Sequence, residues 1–107
     1  MASESIIKLN VGGQLFQTTK QTLTKYPDSM LSTMFKHTEK GLAPMPKTEE
    51  DHYFLDANPE FFKIILDWLR LDEITTNDYS LLKGTMALAN YFGLRKLMDK
   101  LEAVGCP

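Results

Sequence analysis

Between residues 6 and 19 the chain alternates, turns on two consecutive glycines and alternates again, an opening that few folds admit. Ile7, Leu9 and Val11 fall on one face, with Lys8 and Asn10 on the other, which is the period of a half-buried β-strand. Gly12-Gly13 follows at once. Both glycines tolerate positive φ, so a two-residue turn can return the chain through residues 14–19, with Leu15 and either Phe16 or Thr18 setting the faces of the second strand. An isolated hairpin is barely stable in water, so its apolar stripe needs cover from the rest of the chain.

That cover reads as helical. Residues 20–26 can form about two turns of helix before Pro27 discourages continuation. Asp28 is suited to N-cap a second helix over residues 29–37, on which Met30, Leu31, Met34 and Phe35 share a face. Residues 38–51 are polar and punctuated by glycine and proline, the pattern of a long loop, with Leu42 and Met45 on either side of Pro44. Tyr53, Phe54 and Leu55 make a short strand within residues 52–56.

Asn58-Pro59 then supplies an N-cap and a proline at the first helical position, opening a helix to about Leu71. Its apolar residues nearly encircle the axis, so it should be central, with Trp68 in or near the core. A further helix, capped by Thr76 or Asn77, runs through Tyr79, Leu82, Met86, Ala89 and Phe92. Gly84 is a weak point inside it, and Gly93 is placed for a left-handed C-terminal residue. Leu94, Leu97, Met98 and Leu101 continue in a last amphipathic helix. The expected architecture is α+β, a small sheet from the hairpin plus a later short strand, flanked by a cluster of helices. One domain over residues 6–103 accounts for the 107 residues, with flexible termini at 1–5 and 104–107.

Charge and composition narrow the function. The 14 acidic and 12 basic side chains are spread along the chain, so no basic stripe exists to neutralise a phosphate backbone and nucleic acid is not an expected partner. No apolar run approaches the roughly 20 residues that span a bilayer, and no membrane insertion is expected. The single cysteine, Cys106, cannot form an intramolecular disulfide, which suits a reducing compartment and makes the cytoplasm the expected location. Its place beside the last residue fits a domain excised from a longer protein.

Catalytic and ligand-binding patterns are missing from this pattern of residues. His37 and His52 are distant from Cys106 and match neither CxxC nor HExxH spacing, so no metal is expected. Nothing resembling GxSxG or a catalytic-cysteine context occurs. Gly12-Gly13 leads into a strand instead of a helix N-terminus, which favours a hairpin turn over a phosphate loop. The consecutive carboxylates Glu49, Glu50 and Asp51 diverge from a loop and read as solvated charge. No cofactor and no enzymatic activity are expected.

The run Ile7-Lys8-Leu9-Asn10-Val11-Gly12-Gly13-Gln14-Leu15-Phe16-Gln17-Thr18-Thr19, followed by Thr22-Leu23 and Tyr26-Pro27-Asp28-Ser29-Met30-Leu31, resembles the opening of the BTB/POZ domains of the potassium-channel-tetramerisation type. Tyr53-Phe54-Leu55-Asp56, Phe61-Phe62, Ile65-Leu66, Leu69-Arg70 and Ala89-Asn90-Tyr91-Phe92-Gly93-Leu94 extend the resemblance over about residues 6 to 101. It implies a protein-interaction module that assembles with itself into rings of four or five copies. In the soluble KCTD branch, which the double glycine resembles, such modules serve adaptors for cullin-based ubiquitin ligases. The alternative branch is the cytoplasmic assembly domain of voltage-gated potassium channels.

The resemblance also implies residue roles. Ring contacts in the family are polar and lie near the hairpin and the following strand, which here match Gln14, Thr18, Asp56 and Asn58. A cullin-binding face would map to Phe35, Leu42, Met45 and Tyr91. Two departures qualify the match. The zinc motif of some channel branches is absent, and neither Leu42-Ala43-Pro44 nor Met45-Pro46-Lys47 ends in the Glu of the usual cullin-binding loop signature.

Overall fold

The computed structural model describes residues 5–36 and 45–105. Its elements run β1 (Ile6–Val11), β2 (Gln14–Thr19), α1 (Lys20–Leu23), α2 (Met30–Phe35), β3 (Tyr53–Leu55), α3 (Pro59–Leu71), α4 (Tyr79–Phe92) and α5 (Arg95–Ala103), which is the α+β order that the sequence implies. Leu42, His37 and Cys106 lie outside the described residues.

The hairpin closes as its glycines require. Gly12 and Gly13 have φ of 56° and 100°, and the Asn10 side-chain oxygen accepts the Gly13 N–H at 2.8 Å. Gly12 has a second reason to lack a side chain. Its N–H donates to the Leu55 carbonyl at 3.0 Å, and a Cβ there would collide with the Ala57 carbonyl. The turn is therefore pressed against the connection between β3 and α3. Strand β3 runs parallel to β1 on the side away from β2, giving the order β2-β1-β3. A parallel partner needs a long crossover, and the stretch from β1 to β3 that contains β2, α1 and α2 provides it.

Helix α3 lies in the centre of the core, with Phe62, Ile64, Ile65, Leu66, Trp68 and Leu69 all buried. The Phe62 ring meets Phe16 of the hairpin edge-on at 5.2 Å and Phe92 of α4 at 6.3 Å. Trp68 stacks on Tyr26 at 5.0 Å, and the ammonium groups of Lys25 and Lys96 lie 5.7 and 5.8 Å from the Tyr26 ring centre. Burial, and secondarily the Asp72 carboxylate, pushes the Tyr26 phenol above its ordinary 10.0. The neutral phenol's contribution to stability is therefore intact below that pH and is lost as pH rises through the higher folded value.

Both ends of α3 are capped. The Asn58 side chain accepts the Glu60 N–H at 2.9 Å with Pro59 behind it. At the other end Asp72 adopts a left-handed conformation, and Lys25 and Lys100 donate to the Leu69 and Asp72 carbonyls at 3.1 and 2.9 Å.

Three local expectations are corrected. Ser29, not Asp28, caps α2: its hydroxyl accepts the Ser32 N–H at 3.1 Å and donates to the Tyr26 carbonyl at 2.7 Å, a bond that Asp28 does not make. Asp78, not Thr76 or Asn77, caps α4 by accepting the Leu81 N–H at 3.1 Å, while Thr76 accepts the Asp78 N–H. The segment before β3 is not loop throughout, since Lys47 bridges Tyr53 in antiparallel fashion and the Phe54 N–H donates to the Pro46 carbonyl at 2.8 Å. A short turn joins the two sides, with the Lys47 ammonium 3.1 Å from Asp51. That hydrogen bond is the main reason the Lys47 pKa lies above its ordinary value.

Phe62→Ala is expected to cost about 3–5 kcal/mol in urea unfolding, because it empties a site fully enclosed by three elements. Asn58→Ala is expected to cost about 1 kcal/mol through loss of the cap, whereas Asn58→Ser should retain most of that stability.

Candidate interaction surface

Two shallow apolar troughs lie side by side where the β3–α3 connection meets α4. The first has a volume of about 480 Å³ and is walled by Ala57, Phe61, Leu88 and Tyr91, with Gly84 at its base. The second, of about 470 Å³, is walled by Met30, Met34, Met45, Pro46 and Phe54. Leu55, Asp56 and Tyr91 belong to both, and Asp56 is the single charged side chain among the described residues lining either. Tyr91 stands 57% exposed between them.

Local structure explains how the troughs arise. Phe61 and Phe62 are consecutive on α3, so the helical period sends Phe62 into the core and leaves Phe61 on the flank, half-buried. Its ring lies where a side chain on Gly84 would be, and any Cβ at that position would run into it. The glycine that weakens α4 as a helix is thus the notch that lets α3 and α4 approach. Tyr91 precedes buried Phe92 and points outward for the same reason that Phe61 does. The second trough is rich in methionine, whose unbranched and polarisable side chain adapts to different partners.

Among residues implied by the family resemblance, the structure brings Asp56 and Asn58 to the first trough and Met45 to the second, with Tyr91 shared. Gln14 lies apart, in a polar recess of about 360 Å³ with Glu60, Lys63 and Asp67. Thr18 and Phe35 are buried. Thr18 is 6% exposed because it shares with Phe16 the face of β2 turned to the core, and Phe35 is 0% exposed with its ring edge-on to Tyr53 at 5.9 Å. Both are buried within the single chain, where Phe35 packs against Tyr53 of β3.

Other exposed apolar residues had no role implied for them. Leu15 is 61% and Ile6 54% exposed on the outer face of the hairpin, and Met30 opens the second trough. Strand parity could have found the first two, since Ile6 and Leu15 lie opposite in phase to the core-facing Ile7, Leu9 and Phe16. Among the described residues no group of three or more His, Cys, Asp or Glu side chains gathers as a metal site, and no helix is long and apolar enough to cross a membrane.

Gly84→Ala is expected to leave helix content by circular dichroism unchanged while shifting the Phe61 ring resonances in NMR spectra. The gain of about 1 kcal/mol in helix propensity offsets displacement of one flexible ring. Unshifted Phe61 resonances would mean that the glycine does not set the ring's position.

Residues 7–101 match the BTB/POZ domain family. The chain is 40% identical over 97 residues to the mouse BTB/POZ domain-containing protein KCTD9, an alignment covering 90% of this chain and 28% of that protein. Against the human BTB/POZ domain-containing protein KCTD9 the identity is again 40% over 97 residues, covering 90% of this chain and 24% of that protein. The chain thus spans about a quarter of the length of these curated relatives. With the hairpin, the parallel third strand and the helical cluster all in place, the chain belongs to the BTB/POZ domain family, of the potassium-channel-tetramerisation type, a family of protein-interaction and oligomerisation modules.

Proposed function

We propose that this domain is the self-assembly module of a cytoplasmic adaptor, closing into a ring of four or five copies and presenting a second surface to a cullin scaffold of a ubiquitin ligase. The observation that carries the reading is the presence of two unlike surfaces, the paired apolar troughs and the mostly polar outer face of the hairpin, on which Ile6 and Leu15 stand exposed. Patches that differ associate head to tail, and such contacts either close into rings or extend without limit. Similarity to proteins bearing the KCTD name favours the adaptor branch over the channel branch.

The methionine-lined second trough suits the cullin, because Met30, Met34 and Met45 offer an adaptable apolar floor beside the exposed ring of Tyr91. The first trough and Asn58 at its rim are left for a neighbouring copy. Asn58 serves both as helix cap and as rim residue, since its capping bond uses only its side-chain oxygen.

Light scattering coupled to size exclusion, over a dilution series, should return the mass of four or five chains; a single-chain mass at every concentration would remove self-assembly. In a calorimetric titration with a purified cullin, Met45→Asp should weaken binding by about 2 kcal/mol or more while leaving the assembled mass unchanged. Unaltered affinity would place the cullin face elsewhere.

A further inference from the structure

Three of the six methionines in the chain, Met30, Met34 and Met45, line the second trough. Helix α2 supplies two of them. Met30 and Met34 stand at positions i and i+4, which places them one above the other on the same face of the helix. Met45 joins them with Pro46, from the segment that bridges to β3. Met30 is 38% exposed, Met34 9%, and Met45 is half-buried. The other two described methionines, Met86 and Met98, are half-buried against the core and line neither trough. An apolar floor needs no sulfur, and leucine would serve. A thioether adds a reactivity that leucine lacks: two-electron oxidation to the sulfoxide, which turns an apolar side chain into a polar hydrogen-bond acceptor.

We propose that the second trough is an oxidation-sensitive site, in which hydrogen peroxide converts Met30, and after it Met45, to the sulfoxide and so closes the trough to its apolar partner. This rests on the reading of that trough as the cullin-binding face and adds its regulation. In the step, a lone pair on the thioether sulfur attacks one peroxide oxygen, the O–O bond breaks, and the displaced oxygen keeps both protons and leaves as water. Sulfur is oxidised by two electrons and the peroxide is reduced. A dithiol-dependent sulfoxide reductase reverses the change: the dithiol becomes a disulfide and the oxygen leaves as water. Met30 leads because it is the most exposed of the described methionines. Docking weakens for a definite reason. The sulfoxide oxygen is hydrated in the free domain, and an apolar partner closing over it strips that water without replacing its hydrogen bonds.

The test uses the purified domain carrying Cys106→Ser, so that thiol oxidation does not contribute. The domain is treated with hydrogen peroxide, quenched, and titrated with a purified cullin by calorimetry. Peptide mass spectrometry should find the added oxygen on Met30 at least about threefold faster than on Met86 or Met98. Oxidation should weaken cullin binding by at least about tenfold, and sulfoxide reductase with dithiothreitol should return the affinity to within about threefold of the untreated domain. The triple variant Met30→Leu, Met34→Leu, Met45→Leu keeps volume and apolarity, and should bind within about threefold of the parent before and after peroxide. Met30→Leu alone, on an exposed position, should reduce the peroxide-induced loss by at least about threefold. A loss as large in both leucine variants as in the parent overturns the switch, as does a Met30 that oxidises no faster than Met86 and Met98. An oxidised parent that binds as tightly as the reduced one overturns it too, and all three results leave the cullin reading standing. A reduced parent that binds no cullin overturns the switch and the cullin reading together.

Discussion

Burial of Phe62 between the hairpin and α4 is the contact on which the arrangement of this domain depends. One ring touches the inner face of the sheet through Phe16 and the last turn of α4 through Phe92, so a single side chain ties the N-terminal strands to the C-terminal helices. Contacts that join elements so distant in sequence carry a loop-closure cost and fix the topology once formed. Around it, α3 buries residues on most of its circumference, which obliges sheet, α1 and α4 to pack about it.

The same constraint decides what is left outside. Because Phe62 points inward, Phe61 lies on the flank of α3, and α4 can come close only where Gly84 offers no side chain. The trough there is a by-product of core packing at the adjacent position. On the sheet, burial of Ile7, Leu9 and Val11 forces Ile6, Lys8 and Leu15 outward. No helix covers that outer face among the described residues, and Ile6 and Leu15 stand exposed there among polar neighbours. Surface and core are in this sense two readings of one pattern of alternation.

Much of the fold was legible from sequence because its signals are local. The hairpin turn, the Asn58-Pro59 start of α3, the interior position of Trp68 and the left-handed Gly93 each depend on residues close together in the chain. The helix caps show where local reasoning stops. Asp28 and Ser29 are both good capping residues, and the choice fell to Ser29 because its hydroxyl can accept from Ser32 and donate to the Tyr26 carbonyl at once. A carboxylate cannot donate. The site was less legible. Resemblance brought forward Asp56, Asn58, Met45 and Tyr91, which do converge, but also Thr18 and Phe35, whose burial follows from strand parity and helix phase against neighbours that no local pattern names.

Sequence by itself determined most of the inventory of elements and the two-faced hairpin, because each follows from residue periodicity and spacing. Only the tertiary structure decided that β3 joins β1 in parallel, that Gly12 must yield to the Ala57 carbonyl, that Gly84 is a notch and not merely a weak point, and that Asp56, Tyr91 and the methionines border a common surface. The physical reason is that these are contacts between residues far apart in the chain. Their partners are chosen by which faces must be buried together, and no periodicity within one segment carries that information.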